Sequence, residues 1–174
     1  GVTVNRLCGS SLESVIQASR AIEAGDAGVI IAGGVESMSR APWVVQKPTV
    51  AFPSIAETMH STTIGWRMVN PGLRVDWTIS NGQSAELLAQ RYGISREEQD
   101  AFALRSHRRA AAGWDGGFYD AEAVRVPGVG LARDEGIRAA TSTEALATLE
   151  PAFHPEGSVT AGNSSQVSDG AAAV

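Results

Sequence analysis

The sequence predicts an α/β fold with a parallel sheet at its centre, and three observations carry that prediction. The first is "GVTVNRL", a β-branched extended run that ends at Cys8. The second is "SSLESVIQASRAIEAG", where Leu12, Val15, Ile16, Ser19 and Ile22 recur at helical spacing. The third is "AGVIIAGGV" at 27–35, a continuous apolar run of the kind that a strand buried on both faces shows. Strand, helix and strand within so short a span make a βαβ unit.

Each element has local chemistry behind it. Ser10 or Ser11 is a suitable N-cap for the first helix, and Gly25 stands where a C′ glycine ends one. Residues 40 to about 80 hold Pro42, Pro48, Pro53 and Pro71, together with three of the four tryptophans, and have little periodicity. They read as an irregular, functional segment. Helical pattern returns in "GQSAELLAQRYG", ended at Gly93, and in "SREEQDAFALRSHRRAAAGWDGG", where Ser95 and Glu98 have capping-box spacing. "AEAVRVPGV" predicts a strand. "TSTEALATLEPAF" predicts a short helix, with Thr141 and Glu144 at capping-box spacing and Pro151 as its stop. A Gly/Ser/Ala-rich segment, "GSVTAGNSSQVSDGAAAV", turns sharply and enters an apolar run. The abrupt start in a strand and the apolar finish predict a central piece of a longer chain.

Composition limits the function classes. Of 174 residues, 43% are hydrophobic and 19% charged, which is ordinary globular usage. A net charge of −5 gives no reason to expect nucleic acid or an anionic membrane as partner. The one cysteine cannot form an internal disulfide, which suits a reducing compartment. No apolar run approaches the roughly 20 residues a membrane-spanning helix needs. A soluble cytoplasmic protein is the expectation. Metal-ligand spacings, a Walker loop and a dinucleotide fingerprint are all absent, so no metal and no resident cofactor is expected.

Cys8 is the candidate nucleophile. It stands at a strand-to-helix turn, where unpaired N–H groups and the positive end of the helix dipole favour a thiolate. Those N–H groups can also receive an oxyanion, and the small residues around the thiol leave room for a substrate. The competing reading is a small buried hydrophobe. A cysteine nucleophile needs a base. His60, His107 and His154 are the candidates, and spacing selects none of them; His107 reads as a solvated residue of a charged helix.

These segments resemble the thiolases, the acyl-CoA acetyltransferases. "VNRLCGSSLESVIQASRAIEAG" is similar to the family's Asn-x-x-Cys-Gly-Ser turn and following helix. Gly33, Gly34, Glu36, Met38 and Ser39 fit its GG-x-E-x-M-S segment. "YGISREEQDAFALRSHRRAAAGWDGGFYDAEAVRV" resembles its loop-domain helix, and "DEGIR…EALATLEPAF…GSVTAGNSSQVSDGAAA" its return to the core. The resemblance implies a thiolase-like fold: part of the N-terminal α-β-α-β-α half, with residues 1–39 and 157–174 in the core and 40–156 as an inserted, CoA-binding loop domain. It implies that Cys8 is acylated by an acyl-CoA or 3-ketoacyl-CoA, its own N–H helping to hold the thioester oxygen. It also implies that Arg138 meets the nucleotide end of CoA and that Ser165 meets the pantetheine, with Ala161 beside it. CoA is substrate and product, not a resident cofactor, and a homodimer or homotetramer is implied. A surface ion pair of Arg138 with Asp134 or Glu135 is the alternative for that residue. The sequence departs from the family in two respects. The His of a "GHP"-type motif and a second Cys in a "C-x-G-G-G"-type motif are not among these residues, so the fragment alone is expected to be inactive. Ser80 and Asn81 stand where many thiolases have His-Met before the glycine that is Gly82 here. The weighed alternatives are a non-catalytic acyl-CoA or lipid-binding module of the same fold and a ketosynthase-like condensing enzyme.

Overall fold

A computed structural model describes residues 1–174. The chain divides into two compact units, Gly1–Thr63 with Val167–Val174, and Ile64–Gln166.

In the first unit, α1 (Ser10–Glu23) forms as its apolar spacing predicts. Its end is a complete Schellman motif. Gly25 has φ +82, its N–H donates to Ile22 O (3.0 Å), and the Asp26 N–H donates to Ala21 O (3.0 Å). The start differs from the prediction. Gly9 is the N-cap, and no side chain caps the helix. Ser10 spends its hydroxyl on the preceding turn instead.

The sheet also departs from expectation. β1 (Gly33–Glu36) pairs antiparallel with β4 (Gly170–Ala173), in the register Gly33 to Ala173 and Glu36 to Gly170. Reciprocal bonds between Ala32 and Val174 lengthen the ladder by one pair. Small residues permit it: a Cβ on Gly33 would run into the backbone of Ala172 and Ala173. The predicted strand over residues 1–7 does not form; only an isolated bridge joins Arg6 and Cys8. A run that is apolar and β-branched becomes a strand only with a ladder partner, and residues 1–7 pair with no strand of this chain. The predicted burial of 27–35 on both faces is not seen either. Val29 and Ile31 are exposed, and Ala32 is the one buried apolar residue of the unit. A single helix over a two-stranded ladder covers too little of it. β2 (Trp43–Val45) and β3 (Met59–Ser61) form a second antiparallel pair inside the irregular segment.

The second unit is helical. α2 (Asn81–Tyr92) opens with a reciprocal capping box between Ser80 and Gln83 and closes at Gly93 with φ +64. α3 (Arg96–Asp115) opens with the predicted box: Ser95 Oγ accepts from the Glu98 N–H (3.2 Å), and the Ser95 N–H donates to Glu98 Oε2 (2.8 Å). α4 (Thr143–Ala147) is shorter than predicted. Its cap is Ser142, whose Oγ accepts from the Ala145 N–H (3.2 Å), not Thr141. The strand predicted over "AEAVRVPGV" is turn and coil, because no neighbour offers it a ladder. Leu104, Ala111, Leu146 and Val159 are the buried apolar residues that join the helices to the loop after α4.

Candidate active site

Cys8 is exposed, and the turn that carries it is built by its neighbours. The Asn5 carboxamide oxygen accepts from the Leu7 N–H (2.9 Å). Ser10 Oγ accepts from the Arg6 N–H (2.9 Å) and donates to Leu7 O (2.6 Å). The Gly9 N–H donates to Arg6 O (3.0 Å), and the Ser10 N–H to Leu7 O (3.1 Å). These bonds hold Leu7 at φ +51, a left-handed conformation that costs a leucine about 1–2 kcal/mol. The result lifts Cys8 onto the end of α1. The Cys8 N–H has no acceptor within the chain, so it stays available to an incoming oxygen. Sequence reasoning found the thiol and its place before the helix. It missed the parts played by Asn5, Leu7 and Ser10. Asn5 and Ser10 carry a local signal, since both residue types bond nearby backbone groups in turns.

His60 is the one histidine in the same unit as Cys8, and it makes no hydrogen bond to the thiol; His107 and His154 belong to the second unit. His60 lies in β3, opposite Val44. His154 Nδ1 accepts from the Glu156 N–H (3.2 Å). His107, read as a solvated surface residue, is half-buried on α3 and accepts the Arg138 N–H at Nδ1 (3.1 Å).

That bond ties the backbone of Arg138 to α3 and leaves its side chain exposed and without an ion-pair partner. The pairing with Asp134 or Glu135 does not form; Asp134 Oδ1 instead accepts from the Gly136 N–H (2.8 Å). Ala161 and Ser165 lie in the "AGNSS" turn, both exposed. The segment before that turn is gripped by Glu86 of α2, whose carboxylate accepts from the Ser158 N–H (2.9 Å to Oε2), the Val159 N–H (2.8 Å to Oε1) and Ser158 Oγ (3.1 Å). Partial burial pushes the Glu86 pKa up. The bonds from Ser158 and Val159 outweigh it, and the carboxyl sits below the ordinary glutamate value. In the first unit, Asp169 accepts from the Ser39 hydroxyl (2.6 Å) and the Ser39 N–H (2.8 Å), which lower its pKa and tie the segment after β1 to the segment before β4.

A family model of the thiolase N-terminal domain matches residues 1–174, the whole chain. The chain belongs to the thiolase family. Among its relatives, a beta-ketoadipyl-CoA thiolase of Acinetobacter baylyi is 49% identical over 99% of the chain and 45% of its own length. An acetyl-CoA acetyltransferase of Pseudomonas aeruginosa is 43% identical, again over 99% of this chain and 45% of its own. The crystal structure of human mitochondrial 3-ketoacyl-CoA thiolase in complex with CoA superposes with a TM-score of 0.82 at 34% identity, covering 98% of this chain and 43% of that one. The thiolase-like α/β fold is therefore established, and the chain spans a little under half the length of these thiolases. No helix in it is long and apolar enough to cross a membrane.

Proposed function

We propose that this chain is the nucleophile-bearing part of a thiolase that transfers acyl groups between 3-ketoacyl-CoA or acyl-CoA and CoA through an acyl-Cys8 intermediate. The observation that carries the reading is the Cys8 turn: an exposed thiol before α1, next to the left-handed Leu7, beside its own unpaired N–H. The Cys8 thiolate attacks the C3 carbonyl of the 3-ketoacyl-CoA. The C2–C3 bond breaks, and its electron pair leaves on C2, which takes up a proton to give acetyl-CoA. The shortened acyl group stays on Sγ as a thioester until the CoA thiol takes it and Sγ is released. The Cys8 N–H holds the carbonyl oxygen while it is negatively charged. Arg138 meets the phosphates of CoA as a guanidinium suits, and Ala161 and Ser165 meet the pantetheine. Residues 40–156 serve as the CoA-binding insertion, with 1–39 and 157–174 in the core. A cytoplasmic homodimer or homotetramer is the setting.

The relatives named for beta-ketoadipyl-CoA, at up to 49% identity, exceed the acetyltransferase at 43%, and make 3-oxoadipyl-CoA the first substrate to try. Carbon balance then gives succinyl-CoA and acetyl-CoA. The test is CoA-dependent thiolysis of 3-oxoadipyl-CoA and of acetoacetyl-CoA by the complete polypeptide. The expected result is turnover that falls at least about a thousandfold in Cys8→Ala, with an acyl adduct on Cys8 in wild type by peptide mass spectrometry. A Cys8→Ala protein that keeps its activity removes the nucleophile assignment. Faster thiolysis of acetoacetyl-CoA removes the dicarboxylic substrate.

A further inference from the structure

We infer that Asp100, acting through Asn163, is a positioning residue for coenzyme A that holds the "AGNSS" turn in its binding shape. The inference rests on the proposed contact of Ala161 and Ser165 with the pantetheine. Asp100 is 2% exposed on α3 and carries a carboxylate into the interior of the second unit. Its Oδ2 accepts from Arg96 Nε (2.7 Å), and its Oδ1 accepts from Asn163 Nδ2 (3.1 Å). Arg96 also donates to Leu146 O (2.6 Å) and Leu149 O (3.0 Å), the carbonyls at the end of α4. Asn163 completes the connection. Its Nδ2 donates to Ser158 O (3.0 Å), and its Oδ1 accepts the N–H of Thr160, a residue with no exposed surface. Thr160 Oγ1 accepts the Gly162 N–H (3.1 Å).

Every inward-facing polar group of the turn is thus bonded, while Ala161 and Ser165 are exposed and the Ser165 hydroxyl has no partner in the chain. An interior carboxylate is a costly way to hold a surface turn, and well-packed apolar residues often serve stability as well. What the carboxylate adds is geometry. Both of its partners are donors, so both oxygens must be acceptors. An amide at position 100 satisfies one partner and turns an N–H toward the other.

The test uses the complete polypeptide with three variants: Asp100→Asn, the apolar pair Asp100→Leu with Arg96→Met, and Ser165→Ala. The double substitution leaves no unpaired charge in the interior, so it carries the test should Asp100→Asn fail to fold. Thiolysis kinetics, with CoA as the varied substrate, and amide hydrogen exchange are read together. Asp100→Asn and the double variant are expected to raise the KM for CoA about tenfold while kcat stays within about twofold, and to speed exchange at the Thr160 and Gly162 amides. An unchanged KM for CoA in both, beside a raised one in Ser165→Ala, overturns the inference and leaves the CoA reading of the turn intact. Faster exchange with an unchanged KM overturns it as well, since the network is then only structural. A wild-type protein that binds no CoA in calorimetry, or a Ser165→Ala protein with the wild-type KM, removes the CoA reading and the inference together.

Discussion

Replacing Glu86 by Gln removes one charge and changes almost no volume, so it isolates what the carboxylate does for the 158–159 segment. The carboxylate faces donors only: two backbone N–H groups and one hydroxyl. A glutamine offers one carbonyl oxygen to them and points its NH2 at the remainder. Hydrogen bonds to a charged group contribute about 1.5–3 kcal/mol each in favourable cases. Glu86 is only half-buried, so the net loss is set at about 2 kcal/mol, a lowering of Tm by about 4–8 °C for a chain of this size. The pH dependence is the sharper part. The folded-state pKa of Glu86 lies below its unfolded value of about 4.3. Its stabilisation is therefore complete above the unfolded value and disappears as pH falls through the folded one. Thermal melts of wild type and Glu86→Gln, followed by far-UV circular dichroism from about pH 7 down to about pH 3, should show a Tm gap that is constant at neutral pH and closes below about pH 4. A gap that persists at the acid end, or an unchanged Tm at neutral pH, would refute the reasoning. Gly157→Ala is the companion: its Cβ would overlap the Glu86 carboxylate, so it should cost stability by the same route.

Two further predictions follow from close approaches and backbone shape. Leu7→Gly should change stability by less than about 1 kcal/mol, since relief at φ +51 offsets the entropy glycine loses, whereas Leu7→Val, β-branched in a left-handed position, should cost about 1–2 kcal/mol and slow iodoacetamide alkylation of Cys8. Equal melting temperatures and alkylation rates for the two variants would rule out that role for the turn. Gly82→Ala places a Cβ against the Phe153 ring, and urea unfolding should show a loss of about 1 kcal/mol that Phe153→Leu partly restores; a neutral Gly82→Ala would mean the ring moves freely.

How much of this was legible depends on how local the determinant is. The Ser95–Glu98 cap, Gly25 and Gly93 are read correctly because each is decided within one turn of helix. The Ser80–Gln83 box has the same signature and was open to the same reading. The cap of α4 falls on Ser142, one residue after Thr141; two adjacent hydroxyl residues give the sequence no way to choose between them. Strands were the weak point. "GVTVNRL" and "AEAVRVPGV" both have the composition of strands, and neither forms one, whereas "GAAA" pairs with β1. Composition reports what a strand tolerates; pairing is a long-range choice, and alternation carries no information about the partner's identity or direction.

The candidate site divides along the same line. Everything that shapes the Cys8 turn lies between Asn5 and Ser10, so the motif contains its own construction, with Leu7 the one member whose conformation its residue type conceals. The turn with Ala161 and Ser165 is shaped from a distance, by Glu86 and Asp100, which are 72 and 63 residues from the groups they bind. The two designs have different weaknesses. Bonds within the Cys8 turn are exposed and exchange with water, so each contributes little and the left-handed residue depends on all of them together. The bonds of Asp100 and Asn163 are largely shielded, so each is strong, and losing one strands a polar atom in the interior. Substitutions around Cys8 should therefore weaken its reactivity by degrees, while those around Asn163 should act abruptly and at a distance from the turn they control.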